Sequence, residues 1–190
     1  MKSHVRVLAF DDGPFKFTDR HAPLAGVLVR LPNYVEAVLI GTVQVDGEDA
    51  GETIGKMVRA SPYRDQPKAM MLDGAAMGGF NVIDIDVLSQ ETEIAVITLT
   101  RDKPDMKAVK GALKINFDDW DRRYGILSRR KLRKLDTGHS PVYYDCAGME
   151  FREAEEIIRK SIVQGAIPEP LRLAHLVATA AAKGESRGRA

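Results

Sequence analysis

The stretch "VRVLAFDDGPF", residues 5–15, decides the fold. Val5 to Phe10 form a largely apolar run that predicts a buried strand, and Gly13-Pro14 predicts the turn that ends it. Between them stand two adjacent carboxylates, Asp11 and Asp12. A buried carboxylate is costly unless a positive group meets it, and neighbouring ones repel. A core strand ending on this pair asks for a cation, a basic partner or open water.

Working outward, further strand-like runs rich in Val, Ile and Leu lie at 23–30, 35–45, 68–72, 94–100 and 141–147. Helical patterns lie at 50–60, 82–90, 105–115, 150–163 and 170–183. Strands come first, then strands alternate with helices. That order predicts an α/β fold: a mixed sheet, an antiparallel meander continued by parallel strands, covered by helices. A chain of 190 residues suits one domain over 1–190, with a basic segment at 118–137 and a C-terminal helical tail.

With 44% hydrophobic and 29% charged residues and a net charge of +1, neither disorder nor a strongly basic nucleic-acid binder is expected. A polyanion must be met through a local patch. Cys146 is the sole cysteine, which excludes a disulfide framework and fits a reducing compartment. No apolar stretch reaches the roughly 18–20 residues that span a bilayer. The apolar core of the N-terminus is too short for a signal peptide, so a cytoplasmic protein with no membrane partner is expected.

Two more strand ends carry acids. "VQVDGEDAGETIGKMV" passes from a strand through Asp46, Gly47, Glu48 and Asp49 into a helix, and "KAMMLDGAAMGG" passes from a strand into Asp73-Gly74. Asp46-Gly47 taken alone reads as a turn, and Asp49 as a helix N-cap. If the strands are neighbours, however, Asp11, Asp49 and Asp73 converge at one sheet edge, where open α/β sheets bind ligands. A carboxylate cluster of that kind calls for a divalent cation, and oxygen ligands favour Mg²⁺ or Mn²⁺. Such an ion suits phosphodiester hydrolysis, because it neutralises charge developing on the phosphorus oxygens. Asp11, Asp49 and Asp73 are the expected metal ligands, and Asp12 the assisting acid.

Residues 118–137 carry seven basic side chains, Arg122, Arg123, Arg129, Arg130, Lys131, Arg133 and Lys134, beside Trp120 and Tyr124. This is either a solvated helix face or a polyanion-binding surface, with Arg129, Arg130, Lys131 and Arg133 the candidate phosphate contacts. Gly13, Gly74, Gly78, Gly79, Phe80 and Asn81 are candidate substrate-binding residues. The glycines beside Asp73 allow close approach of backbone to a base, and Phe80 either stacks on it or belongs to the core. Cys146 reads as a small buried apolar group, and His4, His21 and His139 as surface residues.

The first-strand aspartate, the acid at a helix start and "LDG" on the next strand resemble endonuclease V, of the ribonuclease H-like superfamily. That family follows its strand-borne Asp-Gly with a glycine-containing loop, as Asp73-Gly74 here precedes Gly78-Gly79. "PEPLRLAH", residues 168–175, is similar to its Pro-x-Pro-Thr-Arg-x-Ala-His sequence. Over nearly the whole chain the sequence resembles the archaeal endonuclease dU family, through "FDDGPF", "VDGEDA", "MLDG", "GGFNVID", "IPEPLRLAHL" and the terminal "GESRGRA".

The resemblance implies a ribonuclease H-like fold and Mg²⁺-dependent cleavage of DNA near a deaminated base, deoxyuridine first, in DNA repair. It also implies that His175 is a fourth site member; from the residues alone the plain alternative is a core histidine on an apolar helix. Endonuclease V's Pro-Tyr-Ile-Pro wedge and Phe-Arg-Glu segment are absent, which points to single-stranded substrate. Tyr63-Arg64-Asp65 is no substitute, because Asp65 lies only eight positions before Asp73, too few for helix, turn and strand, whereas Asp49 lies 24 before it. The other classes consistent with the sequence are a non-catalytic nucleic-acid or nucleotide-binding module on the same fold, and a hydrolase of small phosphorylated molecules.

Overall fold

A computed structural model describes residues 5–187. His4 and the last three residues of "GESRGRA" lie outside the described residues. Strands β1 (Arg6–Asp12), β2 (His21–Arg30) and β3 (Tyr34–Gln44) form the antiparallel meander, and helix α1 (Ala50–Ala60) follows. Next come β4 (Ala69–Asp73), a small hairpin β5 (Ala76–Met77) and β6 (Asn81–Val82), α2 (Ile85–Thr92) and β7 (Ala95–Thr100). The chain continues through α3 (Met106–Asn116), α4 (Trp120–Ser128), β8 (Arg133–Leu135), β9 (Val142–Ala147), α5 (Phe151–Ser161) and α6 (Glu169–Lys183).

Seven strands form one mixed sheet in the order β3-β2-β1-β4-β7-β9-β8. β1, β4 and β7 run parallel. The parallel run stops there: β9 lies antiparallel to β7, and β8 antiparallel to β9. The physical reason is the connection. After β7 the chain leaves through α3 and α4, re-enters on the far edge as β8, and reverses in a short loop into β9.

β1 shows why two helical layers are needed. Val7 and Ala9 pack on the face covered by Ala154, Ile157 and Ile158 of α5 and Leu171 and Ala174 of α6. Leu8 and Phe10 pack on the opposite face, against Ala50, Ile54 and Val58 of α1 and Leu88 of α2. Side chains alternate along a strand, so a run buried on both faces reads as continuously apolar. Opposite Phe10 in the register stands Gly26, where a Cβ would lie 2.6 Å from the Phe10 ring. The glycine gives the ring its space. No helix among the described residues is long and apolar enough to cross a membrane.

Helices α3 and α4 are peripheral. Each buries a single residue, Leu113 in α3 and Arg123 in α4. The basic segment divides among α4 (Arg122, Arg123), the connection at 129–132 (Arg129, Arg130, Lys131) and β8 (Arg133, Lys134), which a charge run does not reveal.

Candidate active site

β1 and β4 are parallel neighbours whose paired register runs to Phe10↔Leu72. The next residue on each strand is an aspartate, Asp11 and Asp73, so two carboxylates end up side by side at one sheet edge. The alternation that turns Val7 and Ala9 toward α6 also turns Asp11 that way. It is 5% exposed, with Oδ1 accepting from the Asp12 N–H at 2.9 Å and Oδ2 lying 2.9 Å from His175 Nδ1. Burial, then the charges of Asp73 and Asp12, push the Asp11 carboxyl up to about 8. Asp12 is also raised, chiefly by burial, while an N–H from Gly78 favours its charged form.

Asp73 is raised by the surrounding protein and by Asp12, with Arg101 and His175 opposing. Its side chain opens into a cleft of about 590 Å³ lined also by Thr100, Arg101, Arg172 and His175. Water reaches it there, and the charges of Arg101 and His175 oppose the rise that burial causes. His175 belongs to α6, whose inner face carries Leu171, Ala174 and Ala178. Its side chain is 60% exposed, so it is not a core histidine. The helix delivers its ring to the buried acid.

Asp49 goes elsewhere. Its Oδ1 accepts from Gln44 N at 3.0 Å and Asn81 Nδ2 at 2.6 Å, and it makes no capping bond to its own helix. Asn81 does that work: fully buried, it accepts from the Ala50 N–H at 2.9 Å and donates to Gln44 O at 2.9 Å. The expected metal ligand and the expected substrate contact are thus a paired clamp joining β3, α1 and the hairpin. Asp49→Ala is expected to lower stability and cleavage together, by about 1–3 kcal/mol for the buried donor it orphans, checked by urea denaturation beside an activity assay. Loss of activity with unchanged stability would return Asp49 to the ligand set.

The remaining candidates divide. Gly13 is buried against α6, where a Cβ would lie 2.5 Å from the Ala178 carbonyl oxygen, so its lack of a side chain serves packing. Gly78 and Gly79 have positive φ, and a Cβ on Gly79 would meet Asp46 Oδ1 at 2.3 Å. Asp46 is more than a turn residue: its carboxylate accepts from Phe80 N at 2.8 Å and fixes this hairpin. Gly74 and Phe80 line a second cleft of about 650 Å³ with Tyr124, Lys103, Lys131 and Thr100. Thr100 is common to both clefts, so they flank the Asp73-Gly74 strand end. Phe80 also meets Phe117 edge-on at 5.8 Å, so it is half core and half cleft wall.

Most of the basic segment is internally engaged. Arg129 pairs with Asp84 at 2.9 Å, and Arg130 pairs with Asp86 and donates to Cys146 O at 2.7 Å. Arg133 lies 3.6 Å over the Phe151 ring. Arg122 pairs with Glu48 at 2.6 Å. Arg123, 4% exposed, holds Asp119, Gly47 O and Phe80 O. In the sequence Arg122, Arg129 and Arg130 read as a surface because Glu48, Asp84 and Asp86 are far away in the chain; only Asp119 is a local partner, of Arg122 and Arg123. Lys131 and Lys134 have no ion pair among the described residues. Changing both to Ser is expected to flatten the slope of log affinity against log salt by about 0.7–0.9 for each phosphate that goes unneutralised. Arg129→Ser and Arg130→Ser should instead lower the melting temperature. The reverse pattern would restore the four-residue patch.

Among the described residues, no set of three or more His, Cys, Asp or Glu side chains is gathered closely enough to hold an ion. The donor chemistry still fits a hard cation: Asp11 and Asp73 are neighbouring carboxylates that repel each other. Mg²⁺ commonly takes one or two carboxylates and keeps several waters. The fit is therefore to two carboxylates, Asp11 and Asp73, rather than to the three expected with Asp49.

The comparisons with known proteins agree with this architecture. A UPF0215 protein of Methanothermobacter thermautotrophicus is 42% identical over 192 residues, covering 100% of this chain and 94% of that protein. The crystal structure of a protein of unknown function from Archaeoglobus fulgidus superposes with a TM-score of 0.84 at 35% identity, covering 93% of this chain and 98% of that one. Endonuclease V of Ciona intestinalis, solved with DNA containing an inosine, has a TM-score of 0.58 at 13% identity, covering 90% of this chain and 83% of that one. That likeness shows a shared ribonuclease H-like fold. The family model for endonuclease dU matches residues 3–182, and the chain belongs to that family.

Proposed function

We propose that this protein is a metal-dependent endonuclease that hydrolyses a DNA phosphodiester bond beside a deaminated base, deoxyuridine first. The observation that carries the reading is the buried Asp11, in contact with His175 and electrostatically coupled to Asp12 and Asp73 at one sheet edge. Asp11 and Asp73 would hold the cation. When bound, Mg²⁺ or Mn²⁺ supplies Lewis-acid neutralisation of the charge that develops on the phosphoryl oxygens. Asp12, held by the Gly78 N–H, would be the assisting acid, and its own backbone N–H fixes Asp11 Oδ1 at 2.9 Å. His175, with Nδ1 against Asp11, has Nε2 left to move a proton in the cleft. Arg101 and Arg172 add positive charge to the cleft wall, Arg172 being fixed by Glu169 at 2.7 Å. No covalent intermediate is invoked, because the buried Cys146 thiol is pushed up to about 11 and is a poor nucleophile.

The second cleft suits the base. It is aromatic on one wall, with Phe80 and Tyr124, and cationic at its rim, with Lys103 and Lys131. An unstacked base there would leave its phosphate near Asp73. The test is a panel of single- and double-stranded oligonucleotides carrying uracil, inosine or an abasic site, incubated with Mg²⁺, Mn²⁺ or EDTA. Cleavage confined to uracil-containing strands and stopped by EDTA is expected. Binding without cleavage under every metal would favour the non-catalytic module, and indifference to all the oligonucleotides would overturn both.

A further inference from the structure

The loop joining β1 to β2, residues 13–20, begins one residue after Asp12 and carries a feature that the catalytic reading leaves unused. Phe17 is 78% exposed. Single exposed apolar residues are ordinary, but this one is held out by construction. The Gly13 N–H donates to Pro23 O at 2.8 Å, fixing the start of the loop. Lys16 N donates to Asp19 Oδ2 at 2.7 Å while Asp19 N donates to Lys16 O at 2.8 Å, closing a reciprocal turn around Phe17. Phe15 packs into the core on the α1 side and meets the Phe17 ring edge-on, centroids 5.6 Å apart and planes at 84°. One ring is anchored and props the other into solvent.

Position and charge identify the occupant. Five residues of extended chain reach about 17 Å, so Phe17 lies within about five 3.4 Å nucleotide steps of Asp12. Lys16 and Arg20 stand one residue before and three after Phe17 in the chain, both exposed and without ion pairs among the described residues, while the Asp19 carboxylate between them is turned onto the Lys16 N–H. A rigid aromatic face between cations, beside a phosphodiester site, matches a nucleobase with its phosphates. A protein partner would need roughly 800 Å² of contact per side, far more than one ring offers.

We propose that Phe17 is a stacking residue for a nucleobase of the bound strand, with Lys16 and Arg20 on the adjoining phosphates. The proposal rests on the nuclease reading of the acids and extends it to a specific contact outside both clefts.

The experiment measures binding of a fluorescein-labelled, uracil-containing single strand to the full chain by anisotropy, with Ca²⁺ in place of Mg²⁺ to slow hydrolysis. Phe17→Ala is expected to weaken binding by about 5- to 100-fold, with unchanged circular dichroism. Phe17→Leu should recover little, since it keeps apolar area but no π-face. Phe17→Trp on a Trp120→Phe background should retain affinity, and its emission should be quenched by unlabelled strand. Equal binding by wild type and Phe17→Ala, wild-type affinity in Phe17→Leu, or unquenched Trp emission in the saturated complex would each overturn stacking while leaving the nuclease reading intact. If wild type binds no strand at all, the nuclease reading fails and this proposal falls with it.

Discussion

Asp11→Asn is expected to abolish cleavage and, in the metal-free protein, to raise the melting temperature at pH 8. The buried carboxyl titrates near 3.8 in the unfolded chain and at about 8 in the folded one. Between those values the folded state holds the extra proton. Its contribution to stability is thus fully present below pH 4 and is lost as pH rises through 8. One pKa unit corresponds to about 1.4 kcal/mol, so the penalty removed at pH 8 is on the order of several kcal/mol. For a chain of this size each kcal/mol is worth about 2–4 °C, so the rise is on the order of 10–20 °C. Mg²⁺ should stabilise wild type at pH 8 and Asp11→Asn much less, because the variant has lost a charged ligand. Melting curves from pH 5 to 9, with and without Mg²⁺, decide the matter. A difference between the two proteins that does not vary with pH would show that Asp11 is not a buried, strained acid.

Arg123→Met should cost about 2–4 kcal/mol, chiefly because two carbonyl oxygens lose their charged donor, at about 1–3 kcal/mol for each group left unsatisfied. Its guanidinium joins α4 to the β3–α1 loop through Gly47 O and to the hairpin through Phe80 O, both at 2.5–2.8 Å. Methionine fills the volume but leaves both carbonyls without this donor, while Asp119 keeps Arg122 at 2.7 Å. The urea midpoint should fall sharply, and the cleft wall formed by Phe80 and Tyr124 should loosen with it. A midpoint within error of wild type would mean that α4 is held by packing alone.

The part of the fold legible in the sequence is the part written in local pattern. β1, β4 and β7 show as apolar runs because both faces of each are covered, and Asp11, Asp12 and Asp73 show as charges at the ends of those runs. The hairpin β5–β6 and strand β8 do not show, being two or three residues long; β8 lies inside the basic run as Arg133–Leu135. The antiparallel arrival of β9 depends on a crossover through α3 and α4 that no periodicity encodes. Asp49 misleads for a similar reason. A helix-start acid looks the same whether it faces an ion or an asparagine 32 positions away. Arg129 and Arg130 meet acids 45 and 44 positions back along the chain, and only the folded geometry joins them.

The contact between His175 and Asp11 spans 164 positions. At about 5–20 residues per second, a ribosome needs roughly 10–30 s to travel that far. Throughout that interval β1 and β2 have been made, but the helix that covers them and brings the imidazole has not. Until then Asp11 has no imidazole beside it; α6, once made, both covers the sheet and completes the contact between Asp11 and His175. On the proposed nuclease reading, the site is therefore incomplete until translation has passed α6.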